Sequence, residues 1–265
     1  MNPGPLIGIA VALLCIIVGN MIEGGHIASL IGGPAFMIVI GGTIGAGLVQ
    51  YPIPMVKHGL SLAGGLFKPP KQDPQKLLDE LVDYANKARK DGILGLEKLA
   101  PGASDPFLSK ALMMAVDGAD SNAIKETMEI IIGQEEEHNE EGAKVFEAMG
   151  GYSPTIGIIG AVLGLIHVMS NLSDIEKVGE GIAGAFVATI YGLVFANVLC
   201  LPLSARIKMQ VKEQVKLKEM MLSGVLAIQQ GMNPKLVRDR LASFLPAHGH
   251  GKGEAPAGAP AKATA

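Results

Sequence analysis

The stretch Ala148–Ser173, AMGGYSPTIGIIGAVLGLIHVMSNLS, contains no Asp, Glu, Lys or Arg. As a helix rising about 1.5 Å per residue, roughly 20 such residues cross a hydrocarbon core about 30 Å thick. Three more runs share the property: Met1–Ile22, Gly24–Val56 and Gly181–Ala205. All 22 basic and 25 acidic residues of the 265-residue chain lie outside these four runs. Its 18% charged content is low beside the roughly 25% of soluble proteins, and it averages over two solvents. The 35 glycines fit membrane helices better than a soluble core. A net charge of −3 excludes a generic nucleic-acid binder with its basic stripe. Two cysteines exclude a disulfide scaffold, and the chain as a whole is too apolar for disorder.

Four spans follow, at about Leu6–Ile22, Gly33–Val49, Pro154–Leu172 and Ile182–Leu203. The first has no basic residue before its apolar run and no small-residue cleavage site, so it reads as a retained helix rather than a signal peptide. Basic residues set the orientation. The connection Tyr51–Ser153 holds 11, the chain after Pro202 holds 10, and the two remaining turns hold Lys177 alone. The long connection and both termini are therefore expected in the cytoplasm. Cys15 and Cys200 fall inside spans, where they read as small packing residues.

The expected fold is all-α: a polytopic membrane protein with four transmembrane helices and a helical cytoplasmic domain. Residues 1–51 hold the first two spans, 52–153 a cytoplasmic helical loop domain, and 154–203 the other two spans. Residues 204–246 form cytoplasmic C-terminal helices, and 247–265 are a Gly/Ala/Pro/Lys tail expected to be disordered. The loop carries 17 acidic residues against its 11 basic ones, and the segment from Leu203 carries 4 against 10. Their opposite balances suggest that the two pack together. Within the loop, Lys57–Phe67 reads as a short amphipathic segment stopped by Pro69-Pro70. Asp73-Pro74 starts a helix to about Lys90, Gly92 breaks it, and Ile93–Leu99 forms another short helix. Asp105-Pro106 starts a helix through Val116, and a long one runs from Ser121 toward the third span. Arg206–Gln230 continues the fourth span, and Asn233-Pro234 starts a last helix to Phe244.

Small residues line the last two spans. Gly157, Gly160, Ala161 and Gly164 share one face of the third, and Gly184, Ala188, Gly192 and Ala196 repeat along the fourth. Such faces let helix backbones approach closely, either within one bundle or around a subunit interface or pore. The two spans contain no carboxylate and no Lys or Arg. His167 is their one side chain with an ordinary pKa near neutrality; it reads first as a hydrogen-bonding residue and second as a relay. Ion pathways use intramembrane carboxylates, so if this chain conducts ions, a partner must supply one. No phosphate loop, zinc-protease motif or C-x-x-C pair occurs, and no nucleophile–base pair lies at membrane depth. The chain reads as a non-enzyme without cofactor or metal. The run Glu135-Glu136-Glu137, with Glu140 and Glu141, reads as a solvated helix face.

Several segments, in this order, resemble the MotA/PomA family of flagellar stator subunits, with ExbB and TolQ as more distant relatives. They are Pro34-Ala35-Phe36 with Ile38–Thr43, Ala88–Glu97 (ARKDGILGLE), Ser153–His167, and Ala188-Thr189-Ile190-Tyr191-Gly192 with Ala196-Asn197 and Leu201-Pro202-Leu203. The resemblance covers about residues 1–245. It implies five copies around two copies of a MotB-like, single-span, peptidoglycan-binding partner that brings the ion-binding Asp. It also implies that the cytoplasmic loop pushes the rotor protein FliG. Arg89 and Glu97 match the charged rotor-contact positions, with Lys90 and Lys98 beside them. Pro154 and Pro202 match two prolines near the cytoplasmic ends of the third and fourth spans, where loss of a backbone donor suits a hinge or a helix boundary.

By the same resemblance the third and fourth spans face the partner helix, with Ala161 and Thr189 near the ion path and Thr155, Gly157, Gly164 and His167 along the same face. Spans one and two form an outer layer. Sodium-driven members have Thr where this chain has Ala161, which removes an oxygen ligand, so protons are the expected ion, with sodium as the other possibility. The alternative is a related ion-driven unit that energises gliding or outer-envelope transport.

Overall fold

All regular elements among the described residues are helical. The structure is a computed structural model, and it describes residues 3–68 and 72–245. Helices α1 (Gly4–Ile22), α2 (Gly33–Phe36) and α3 (Gly42–Gln50) come first, with a π turn, Met37–Gly41, between α2 and α3. Then follow α4 (Ile53–Gly65), α5 (Pro74–Asp91), α6 (Pro106–Val116), α7 (Ser121–Ser170) and α8 (Ile175–Val194). A second π turn, Phe195–Cys200, leads into α9 (Leu201–Gln229), and α10 (Pro234–Ala242) closes the order. Four helical stretches are long and apolar enough to cross a membrane: Gly4–Ile22, Ile27–Gln50, and parts of Ser121–Ser170 and Ile175–Gln229. The Pro69-Pro70 stop and the tail from Ala247 lie outside the described residues.

The chain divides into two units, Met1–Lys71 with Glu129–Val215, and Gln72–Met128 with Lys216–Ala265. In the first, α1 has no buried residue and stays almost apart from the rest of its own chain. The stretch from α2 to α3 packs on α8 through Ala35, Val39, Val187 and Ala188. The Tyr191 hydroxyl fastens that contact, donating to the Leu30 carbonyl (2.7 Å) and accepting from the Gly32 amide (3.1 Å). Past Tyr51 the chain turns, and α4 begins at Ile53, earlier than the expected Lys57. Pro54 in its first turn explains this, because proline there gives up a donor that had no partner. Ala63 of α4 with Leu66 just past its end, Ala143 and Phe146 of α7, and Leu203, Ile207 and Val211 of α9 form one core.

In the second unit, α5, α6 and α10 start where aspartate or asparagine precedes proline. Asp73, Asp105 and Asn233 each accept the backbone N–H two residues on, and the proline supplies a pre-set φ. α5 ends at Gly92, whose φ of +76° suits a residue without Cβ. The short helix expected over Ile93–Leu99 is instead a 3-10 turn, Ile93–Leu96, with a second at Ala100–Gly102. Pro101 removes the donor that a longer helix would need. The buried side chains here are large, among them Leu78, Leu81, Leu108, Leu112, Ile124, Met220, Met221 and Leu241.

Candidate functional site

Two places carry the residues singled out from the sequence, one in each unit. The first is the contact of α7 with α8. A Cβ placed on Gly157 would lie 3.0 Å from the Ala188 carbonyl oxygen and 3.3 Å from the Gly192 Cα. One on Gly160 would lie 2.8 Å from the Ala188 Cβ, and one on Gly164 3.0 Å from both the Ala185 Cβ and the Gly181 carbonyl oxygen. The backbones therefore touch along three turns. Gly157 and Gly164, expected along the partner-facing side, lie against α8 of the same chain. Small residues here serve close backbone packing.

The repeat in α8 splits. Ala188, Gly192 and Ala196 are buried, whereas Gly184 is exposed and Ala185 takes its place against α7. At 3.6 residues per turn a four-residue repeat drifts by about 40° per step, so one stripe cannot follow a partner helix throughout. Ala161 and Thr189 are half-buried within the chain. The Thr189 hydroxyl donates to the Ala185 carbonyl one turn back (3.2 Å), and that of the exposed Thr155 to the Tyr152 carbonyl (2.7 Å). His167 is exposed near the end of α7, and its backbone carbonyl accepts from the Asn171 side chain.

Pro154 lies inside α7, and the helix runs unbroken through it. Pro202 sits exposed in the first turn of α9, directly after the second π turn. Neither proline ends its helix. The sequence reading missed the residue before Pro154: Ser153 is fully buried, and its hydroxyl donates to the Gly192 carbonyl (2.9 Å).

The second place is the end of α5 with the turns after it. Arg89 and Lys90 occupy the last turn of α5, Glu97 and Lys98 follow the first 3-10 turn, and all four are exposed. An open groove of about 580 Å³ lies along α5, lined by Lys76, Asp79, Glu80, Asp83, Tyr84, Lys87 and Leu99. Glu80 holds its wall, accepting from the Tyr84 hydroxyl (3.0 Å) and the Ser104 amide (3.0 Å). Burial, reinforced by that carboxylate, pushes the Tyr84 hydroxyl far above its ordinary pKa, so it stays a neutral donor. Among the described residues no group of three or more His, Cys, Asp or Glu is arranged to hold a metal ion.

Comparison with known proteins reaches nearly the whole chain. Residues 100–220 match the model of the MotA/TolQ/ExbB proton channel family, and residues 6–92 match that of the Motility protein A N-terminal region. Motility protein A of Bacillus subtilis (strain 168) is 36% identical over 248 residues, 93% of this chain and 92% of that protein. The solved C. jejuni MotAB superposes with a TM-score of 0.89 at 31% identity, covering 93% of this chain and 97% of the other. The flagellar MotAB stator complex from Bacillus subtilis does so at 0.86 and 36%, covering 92% and 96%.

Proposed function

Because the chain belongs to the MotA/TolQ/ExbB proton channel family, as a multi-pass flagellar stator subunit, we propose that it works as half of an ion-driven motor whose other half carries the ion site. The observation behind this is a lack: the third and fourth spans contain no carboxylate, Lys or Arg. A proton or sodium path through them needs an ionisable group from elsewhere. A MotB-like single-span partner bearing an Asp fills the gap, with five copies of this chain around a partner dimer. Ala161 and Thr189 then lie beside the path. The ion is the proton, since Ala161 offers no oxygen to a sodium shell.

Pro154 and Pro202 serve as hinges, each leaving its helix one backbone bond short. Arg89, Lys90, Glu97 and Lys98 meet the rotor protein FliG. The protein sits in the bacterial inner membrane with both termini in the cytoplasm, where 21 of its 22 basic residues then lie. Liposome flux tests the division of labour. The purified chain alone should conduct nothing, and co-reconstitution with the partner should give an acid-driven flux that external sodium does not change. Conduction by the chain alone would overturn the reading, and sodium dependence would overturn the choice of ion.

A further inference from the structure

Serine and threonine hydroxyls inside helices ordinarily turn back to a carbonyl three or four residues earlier. Thr43, Thr155, Ser170 and Thr189 all do so here, bonding Val39, Tyr152, Ile166 and Ala185. Ser153 does not. Its hydroxyl leaves its own helix and donates to the Gly192 carbonyl of α8 at 2.9 Å, in a site with no exposed surface.

The two ends of that bond are both irregular. On the α7 side the next residue is Pro154, which deprives the helix of one backbone bond. On the α8 side Gly192 stands just ahead of the π turn Phe195–Cys200, which leads to Pro202. The Leu193 carbonyl likewise takes an extra donor, the Asn197 side-chain amide (3.0 Å), and the Leu201 amide reaches back to Ala196 in the wider π register. Short π turns within α-helices mark places where a helix can change register. The contact is also tight: a Cβ on Gly192 would lie 2.7 Å from the Ser153 carbonyl oxygen, 3.1 Å from the Gly157 Cα and 3.3 Å from the Pro154 Cα.

We infer that Ser153 is a positioning residue for the ion-driven step: its hydroxyl ties the weak point of α7 at Pro154 to the weak point of α8–α9 before Pro202, so that the two bend as one. The inference rests on the stator reading. Without the hydroxyl each helix relaxes separately, and the concerted step slows.

The test replaces the chain in cells with Ser153→Ala or Ser153→Thr, full length and with the partner present, and measures single-motor speed at low load and torque per unit near stall. Near stall, torque is set by the free energy of the ions; at low load, speed is set by the slowest step. Ser153→Ala should lower low-load speed about fivefold, the worth of one hydrogen bond expressed as a rate, with stall torque per unit unchanged. Ser153→Thr, which keeps the hydroxyl, should restore the speed. Wild-type low-load speed in Ser153→Ala would overturn the inference, as would a proportional fall of both quantities. If the added methyl of Thr blocks assembly, the split in Ser153→Ala decides alone. Rotation driven by the unaltered chain in the same cells checks the stator reading separately.

Discussion

The contact of α7 with α8 and the core around α5 and α6 join helices by opposite means. In the first, glycines bring backbone against backbone, and the closest approaches involve Gly157, Gly160, Gly164, Gly181 and Gly192. In the second, leucines, isoleucine and methionines fill the space between helices, with Leu78, Leu81, Leu108, Leu112 and Met220 almost wholly buried. Solvent explains the difference. In water, burying a large apolar side chain is itself the driving force. In lipid a leucine gains nothing by leaving the hydrocarbon, so helices associate through closeness and dispersion, which small residues permit. α1 shows the limit of that rule: it is the most apolar helix, and it buries nothing against its own chain.

If closeness holds the membrane pair, a side chain at its tightest point should have the largest effect of any single change. Gly192→Leu places a Cβ 2.7 Å from a backbone oxygen that has nowhere to move. We expect it to abolish both accumulation in membranes and swimming, while Gly184→Leu, facing open space on the same helix, accumulates at the wild-type level. Immunoblots of membrane fractions check both, and equal accumulation of the two variants would break the comparison.

The large-residue core should fail differently, by cavity rather than clash. Leu81 has no exposed surface and packs against Gly224, where a Cβ would meet its methyls at 3.0 Å. Leu81→Ala should cost about 2–5 kcal/mol. Pulse proteolysis of the detergent-purified protein should show cleavage within 72–128 at lower denaturant, with the membrane helices still protected.

The same contrast decides what the sequence could disclose. Lengths and caps were legible because they are local: Asp73, Asp105 and Asn233 announce their helices three residues at a time, and uncharged runs announce the spans. Occupancy of a face was not. Gly157 and Gly164 look alike whether a helix of the same chain or of another lies on them, and only the fold shows that α8 lies against them. Pro154 likewise reads equally as a hinge or a helix boundary, and only the fold shows the helix continuous through it. Where a helix is surrounded by apolar neighbours, stopping would expose backbone groups to hydrocarbon, so α7 runs on through Pro154. Ser153 was invisible because its partner lies 39 residues away.

A smaller effect sharpens the water-exposed side of the comparison. Asp105 accepts the Phe107 amide at 2.7 Å and also a bond from the Gln72 side chain. Asp105→Ala should cost about 1 kcal/mol and raise hydrogen exchange in the first turn of α6 without slowing swimming. A change there as large as that of Leu81→Ala would mean that capping, not the buried core, carries this unit.

The smallest effect on folding belongs to the exposed end of α5, and there the comparison turns into one between stability and use. Arg89 and Glu97 lie on the surface, where substitutions ordinarily change stability by less than about 0.5 kcal/mol. Arg89→Glu or Glu97→Lys should leave membrane abundance and protease resistance at the wild-type level and still impair torque, because each reverses a charge that the proposed rotor contact reads. Arg238→Glu is the control. It removes a surface pair with Asp79 at 3.0 Å, worth about 0–1 kcal/mol, on a helix outside that contact, so swimming should persist. Single-motor torque beside a thermal melt separates the cases. Unimpaired torque in both Arg89→Glu and Glu97→Lys would remove this surface from the rotor contact, and a loss of stability in either would show that the end of α5 belongs to the core.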